Sequence, residues 1–111
     1  MSGVKFDQLK PKMDLLPYDS LAEISKVLAF GEQKYGAGNW ANGIEYRRLI
    51  SAALRHIGQF NQGEDIDPES GISHIAHASC NLLFLMHFIL NTKDLDNRVK
   101  YPYTNKHDSN N

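Results

Sequence analysis

Residues 63–88, GEDIDPESGISHIAHASCNLLFLMHF, begin as an acidic loop and turn almost wholly apolar from Ile75 onward. The pattern predicts a helix from about Pro68–Ser70 to Thr92, apolar around most of its circumference from Ala76 to Leu90. A helix of that kind has to be covered. It nevertheless carries His74, His77 and Asn81 at i, i+3 and i+7, one stripe that continues as Phe84 and Phe88. A polar group left dry and unpaired costs roughly 1–3 kcal/mol, so each of the three requires a partner.

The longest apolar stretch, Leu82–Leu90, is interrupted by His87 and falls well short of the ~20 residues that cross a bilayer. The first residues, MSGVKFDQLKPKMD, have no apolar core of signal-peptide type. A net charge of −1 from 12 basic and 13 acidic residues gives no bulk attraction to nucleic acid or to an anionic membrane. Cys80, the one cysteine, sits in the apolar run and is expected to act as a small hydrophobe. These features predict a soluble, cytoplasmic protein.

At 111 residues, 41% hydrophobic and 23% charged, the chain fits a single folded domain over 1–111. Residues 1–17 mix charges with Pro11 and Pro17 and read as an extended arm. A first helix is predicted at about 19–34, opened by a Ser20/Glu23 capping box, with Leu21, Ile24, Val27 and Leu28 as its apolar stripe. YGAGNWANG then marks a glycine-rich loop. A second helix, about Glu45–Gln62, places Leu49, Ala53, Ile57 and Phe60 at core spacing and Arg48 and Arg55 on another face. Beyond Asp96 the chain reads as a weakly docking tail, 96–111. No segment alternates long enough to predict a strand, so the fold class is all-α: three main helices with an extended N-terminal arm. Two shorter amphipathic helices leave part of the third uncovered, which predicts a homo-oligomeric bundle, at least a dimer.

The acidic loop puts Glu64, Asp67 and Glu69 directly before His74 and His77. Carboxylates with one or two imidazoles form a ligand set for a divalent cation such as Mg²⁺ or Mn²⁺, while the lack of sulfur ligands speaks against structural zinc. The competing reading is that these residues satisfy the core and complement the positive end of the helix dipole. His56 joins either version. A second constellation is basic and aromatic: Lys10, Lys12, Lys34, Arg48 and Arg55 as phosphate ligands, with Trp40 as a stacking surface. Its bland counterpart is solvated surface charge and a tryptophan lid over the core. The sequence contains no GxxxxGK[ST] phosphate loop, no GxGxxG after a strand and no CxxC pair.

Four stretches in order, KFDQLKPKMDLLP, FGEQKYGAGNW, SAALRH and GEDIDPESGISHIAHASCNLLFL, resemble the N-terminal domain of phage dATP/dGTP diphosphohydrolases, near the MazG-like all-α NTP pyrophosphatases. The resemblance runs from about Lys5 to Phe88. It implies a metal-dependent enzyme that splits a (d)NTP, with purine deoxynucleotides expected, into the monophosphate and pyrophosphate, using Mg²⁺ or Mn²⁺ on carboxylates and basic side chains on the phosphates. Mapped here, it implies Glu64, Asp67 and Glu69 as metal ligands or water-orienting base, His74 and His77 as ligands or orienting groups, His77 taking part in catalysis, and Lys10, Lys12, Lys34, Arg48 and Arg55 on the phosphates. A phage-encoded protein would act in the host cytoplasm. MazG-type enzymes carry helical ExxE and ExxD motifs, whereas Glu23 and Glu32 here lie nine apart and His77 and Asn81 occupy the last helix. A nucleotide-binding or sequestering module without hydrolysis is therefore the alternative, followed by a phosphotransferase lacking the phosphate loop.

Overall fold

Pro17 sets where regular structure begins. Its ring fixes φ at −66° and its carbonyl accepts from the amide of Leu21, so helix α1 runs Tyr18–Tyr35. The Ser20/Glu23 capping box does not form, because Ser20 already lies inside the first turn. There its amide donates to Asp19 Oδ1 at 2.7 Å, while Glu23 pairs with Lys26 at 2.6 Å. Gly36, at φ +96°, ends the helix, its amide donating to Glu32. No residue of α1 is fully buried: Ile24, Val27 and Leu28 are half-covered, and Leu21 is exposed.

The computed structural model describes residues 9–102. Of the expected arm, residues 9–17 are exposed and hold a 3-10 turn at Met13–Leu15, and the rest lies outside the described residues. A second 3-10 turn, Asn39–Asn42, presents Trp40. It closes at Gly43, where φ is +108° and Leu95 packs 3.4 Å from the position a Cβ would take.

Helix α2 spans Tyr46–Asn61 and buries Tyr46, Leu49, Ala53 and His56, the 3.6-residue period of a single face. Ile57 and Phe60, expected in the core, are 42% and 43% exposed because the buried stripe runs through His56 instead.

The segment before the third helix departs from the all-α expectation. Asp67 Oδ2 accepts from the Ser70 amide and hydroxyl, and Gly71 adopts φ +72° with its amide on the Asp67 carbonyl. This aspartate-initiated turn folds the chain back into a hairpin. Strands β1 (Ile66–Asp67) and β2 (Ile72–Ser73) pair antiparallel, Ile66 opposite Ser73 and Asp67 opposite Ile72. Helix α3 consequently starts at His74, not at 68–70, and runs to Asn91. Ser73 caps it, its hydroxyl accepting from the Ile75 amide at 3.1 Å.

Helix α3 packs mainly on α2 and also on α1. One end of the core is Tyr46, Leu49 and Phe88 with Trp40, Ile44, Phe84 and Leu95 against them. Toward the other end lie the buried small residues Ala53, Ala76, Ala78 and Cys80. Burial pushes the Cys80 thiol up to about 11, so it behaves as the expected small hydrophobe. The opposite face of α3, through Leu82, Leu83, Met86 and Ile89, is about half exposed. The segment just after α3 is tied to the start of α2, while of the expected tail from 96 the described residues 97–102 are exposed. Leu95 joins the core, its carbonyl accepts from the Tyr46 amide at 3.0 Å, and Asn97 Oδ1 accepts from the Arg47 amide at 3.0 Å. That supplies from the far end of the chain the cap that Glu45 does not provide.

Candidate functional site

The polar residues at the start of α3 have partners supplied by two other elements. His74, fully buried, bonds through Nε2 to Glu64 Oε1 at 2.6 Å and through Nδ1 to His56 Nδ1 at 2.8 Å. The hairpin brings Glu64 to one side of the ring and α2 brings His56 to the other. A buried imidazole that would otherwise oppose folding is thus satisfied at both nitrogens.

His77 is held differently. Ser70 Oγ lies 2.7 Å from His77 Nε2 and 2.7 Å from Asp67 Oδ2, and it also accepts from the Ile72 amide. Burial tends to raise the Asp67 carboxyl, but the hydroxyl and amide of Ser70 and the nearby His77 outweigh it and hold the group below its usual range. The ionised carboxylate accepts only, so the Ser70 hydroxyl donates to Asp67 and His77 Nε2–H donates to Ser70. Burial lowers the His77 pKa below the ordinary 6.5 despite the Asp67 charge, so the ring is neutral at pH 7 with its lone pair on Nδ1. Among the described residues Nδ1 has no hydrogen-bond partner, and it is not sealed from solvent.

The His56 ring lies parallel to that of His77, centroids 4.5 Å apart with 9° between planes. Burial, with His77 and Arg55 adding to it, lowers His56 to about 4. Two neutral imidazoles therefore lie side by side in the wall of a groove of about 900 Å³ between α1, the 36–44 loop, α2, the hairpin and α3.

Helices α2 and α3 run antiparallel, since Tyr46 Oη meets the Thr92 carbonyl while His56 meets His74. Arg55 is thereby level with His77, whose proton affinity it lowers, and Arg48 stands ~10.5 Å along α2 toward Trp40. Lys34 closes the His77 end from α1, its ammonium 2.8 Å from Glu69 Oε2, which raises its pKa. Trp40 stacks face to face on Phe84 at 4.6 Å with 9° between planes, so one ring face is already occupied.

The structure thus brings Lys34, Trp40, Arg48, Arg55, His56, Asp67, Glu69 and His77 to one groove. Lys10 and Lys12 are exposed and outside it. The expected metal ligands are distributed as separate contacts: Glu64 with His74, Asp67 with Ser70 and His77, and Glu69 with Lys34. Among the described residues no three His, Cys, Asp or Glu side chains gather as a ligand group. Ser70 is the participant that residue chemistry alone passed over. Its signal was the DPESG spacing, an aspartate three residues before a serine and followed by glycine.

Residues 1–98 match the family described as dATP/dGTP diphosphohydrolase, N-terminal. The chain belongs to this family. It is 40% identical over 98 residues to a dATP/dGTP diphosphohydrolase of Salmonella phage PMBT28, a match that covers 88% of this chain and 33% of that protein. The chain therefore spans about a third of the length of this relative. No solved structure matches.

Proposed function

We propose that the groove binds a deoxynucleoside triphosphate and that His77 drives its hydrolysis to the monophosphate and pyrophosphate, with purine deoxynucleotides as the substrates. The observation that carries this reading is the neutral His77, its Nδ1 unpaired among the described residues, in a groove that also holds Arg55 and Lys34. In the proposed reaction His77 Nδ1 takes a proton from a water that attacks the α-phosphorus, and the bond from that phosphorus to the α–β bridging oxygen breaks so that pyrophosphate leaves. The imidazolium that forms is stabilised through Ser70 by the Asp67 carboxylate. Arg55 and Lys34 neutralise the charge spread over the phosphoryl oxygens, Lys34 exchanging Glu69 for phosphate. Among the described residues no three His, Cys, Asp or Glu side chains gather as a ligand group, so in this reading Mg²⁺ or Mn²⁺ would be held mainly by the triphosphate itself and would supply charge neutralisation there.

The name of the phage relative supports the choice of purine deoxynucleotides and a site of action in the host cytoplasm. No helix among the described residues is long and apolar enough to cross a membrane. The half-exposed face of α3 supports self-association. A second reading, binding without hydrolysis, is favoured by one observation: Glu64, Asp67 and Glu69 each already have a protein partner.

The deciding experiment incubates the protein with each of the four dNTPs and four NTPs in Mg²⁺ or Mn²⁺, with an EDTA control, and separates the products. Pyrophosphate and dNMP from dATP or dGTP, abolished by EDTA, is the expected result. Binding with no product selects the sequestering module, and diphosphate formed only with an acceptor selects the phosphotransferase.

A further inference from the structure

Of the three polar residues on the apolar stripe of α3, two are accounted for by the protein itself. Asn81 is not. It is half-buried, it lines the groove, and its carboxamide makes no hydrogen bond among the described residues. A carboxamide so placed has a donor and an acceptor to offer to whatever fills the groove.

Its position along α3 says which part of a nucleotide it meets. Asn81 is one turn beyond His77, a rise of ~6 Å, and Phe84 follows on the same side of the helix. The floor of the groove thus presents, in order, a proton acceptor, a hydrogen-bonding amide, and the stacked Phe84–Trp40 wall. Lys34 and Arg55 stand at the His77 end, and Ala52, the small residue between Arg48 and Arg55 on α2, leaves room along the middle. A nucleoside triphosphate has the same order of chemistry: charged phosphates, a sugar bearing a hydroxyl, and a flat apolar base.

We propose that Asn81 is a specificity-determining residue that hydrogen-bonds the 3′-hydroxyl of the bound deoxyribose. The inference rests on the nucleotide reading of the groove but not on turnover. With the α–β phosphate bridge at His77, one helical turn spans the distance to the sugar, and the base lies beyond it against Trp40 and Phe84. A single neutral hydrogen bond of this kind discriminates by about 5- to 10-fold.

The test is calorimetric binding of two non-hydrolysable ligands in Mg²⁺, α,β-methylene dATP and its 2′,3′-dideoxy counterpart, to wild type, Asn81→Leu and Asn81→Ser. Wild type is expected to bind the 3′-hydroxyl ligand about 5- to 10-fold more tightly. Asn81→Leu is expected to lose that difference while keeping wild-type affinity for the dideoxy ligand, and Asn81→Ser, the milder change, should retain part of it. Equal weakening of both ligands, or no discrimination by wild type, overturns the proposal. Unchanged discrimination in both variants overturns it as well. If Asn81→Leu fails to fold by circular dichroism, Asn81→Ser decides alone. Failure to release pyrophosphate would sink the hydrolase reading and leave this result standing, whereas failure of wild type to bind either ligand would remove both.

Discussion

His77 Nε2 stands 3.5 Å from Asp67 Oδ2, and the Ser70 hydroxyl joins the two with a 2.7 Å contact to each. The serine fixes which nitrogen of the imidazole carries the proton, and so which one is left to accept another. Replacing His77 with Gln should lower kcat by about 10²–10⁴, the range of a lost general base. Ser70→Ala should produce a smaller loss in kcat with KM little changed, together with an altered pH profile, because the ring keeps its base but loses its orientation. Steady-state pyrophosphate release over a range of pH measures both. Wild-type kcat in His77→Gln removes His77 from the reaction.

The acid limb of stability belongs to His56. Its folded pKa, about 4, lies below the ordinary 6.5, so the folded state resists protonation that the unfolded chain accepts. The stabilisation is therefore complete above pH 6.5 and drains away as pH falls toward 4, a change on the order of 3 kcal/mol. His77, also lowered, adds in the same direction. Asp67, held below 3.8, withdraws its contribution only at lower pH and so does not obscure the window. Urea midpoints at pH 7.5 and 4.5 should differ markedly in wild type and much less in His56→Phe; a wild-type midpoint independent of pH would contradict the assignment.

Asn97 caps α2 from fifty residues away, through its 3.0 Å bond to the Arg47 amide. Asn97→Ala should lower stability by about 1 kcal/mol, the usual worth of a capping side chain, measured by chemical denaturation. Truncation after Thr92 should be far more damaging, because it also removes Leu95 from the core.

Leu83 and Met86 are 51% and 55% exposed on the outer face of α3. If two copies meet there, Leu83→Lys with Met86→Lys should convert a dimer to a monomer in light scattering while helicity is retained. In a monomer the same changes would shift stability by no more than about 0.5 kcal/mol each. A wild type that is already monomeric at high concentration would dismiss self-association.

The sequence by itself determined the features that follow from local spacing. The period of Leu49 and Ala53 set the inner face of α2, the apolar run set α3, and the closeness of the acids to His74 and His77 in the chain put carboxylates within reach of both rings. Tertiary structure decided which group meets which. The turn at Asp67–Gly71 set a register that gives Glu64 to His74 and Asp67 to His77. The packing of α2 on α3 brought in His56, 18 residues from its partner, and left Ile57 and Phe60 at the surface. It also set Leu95 against the core and brought Asn97, at the head of the stretch that reads as a tail, to the start of α2. Periodicity encodes a face, whereas pairing depends on turn angles and helix crossings that sum contributions from the whole chain.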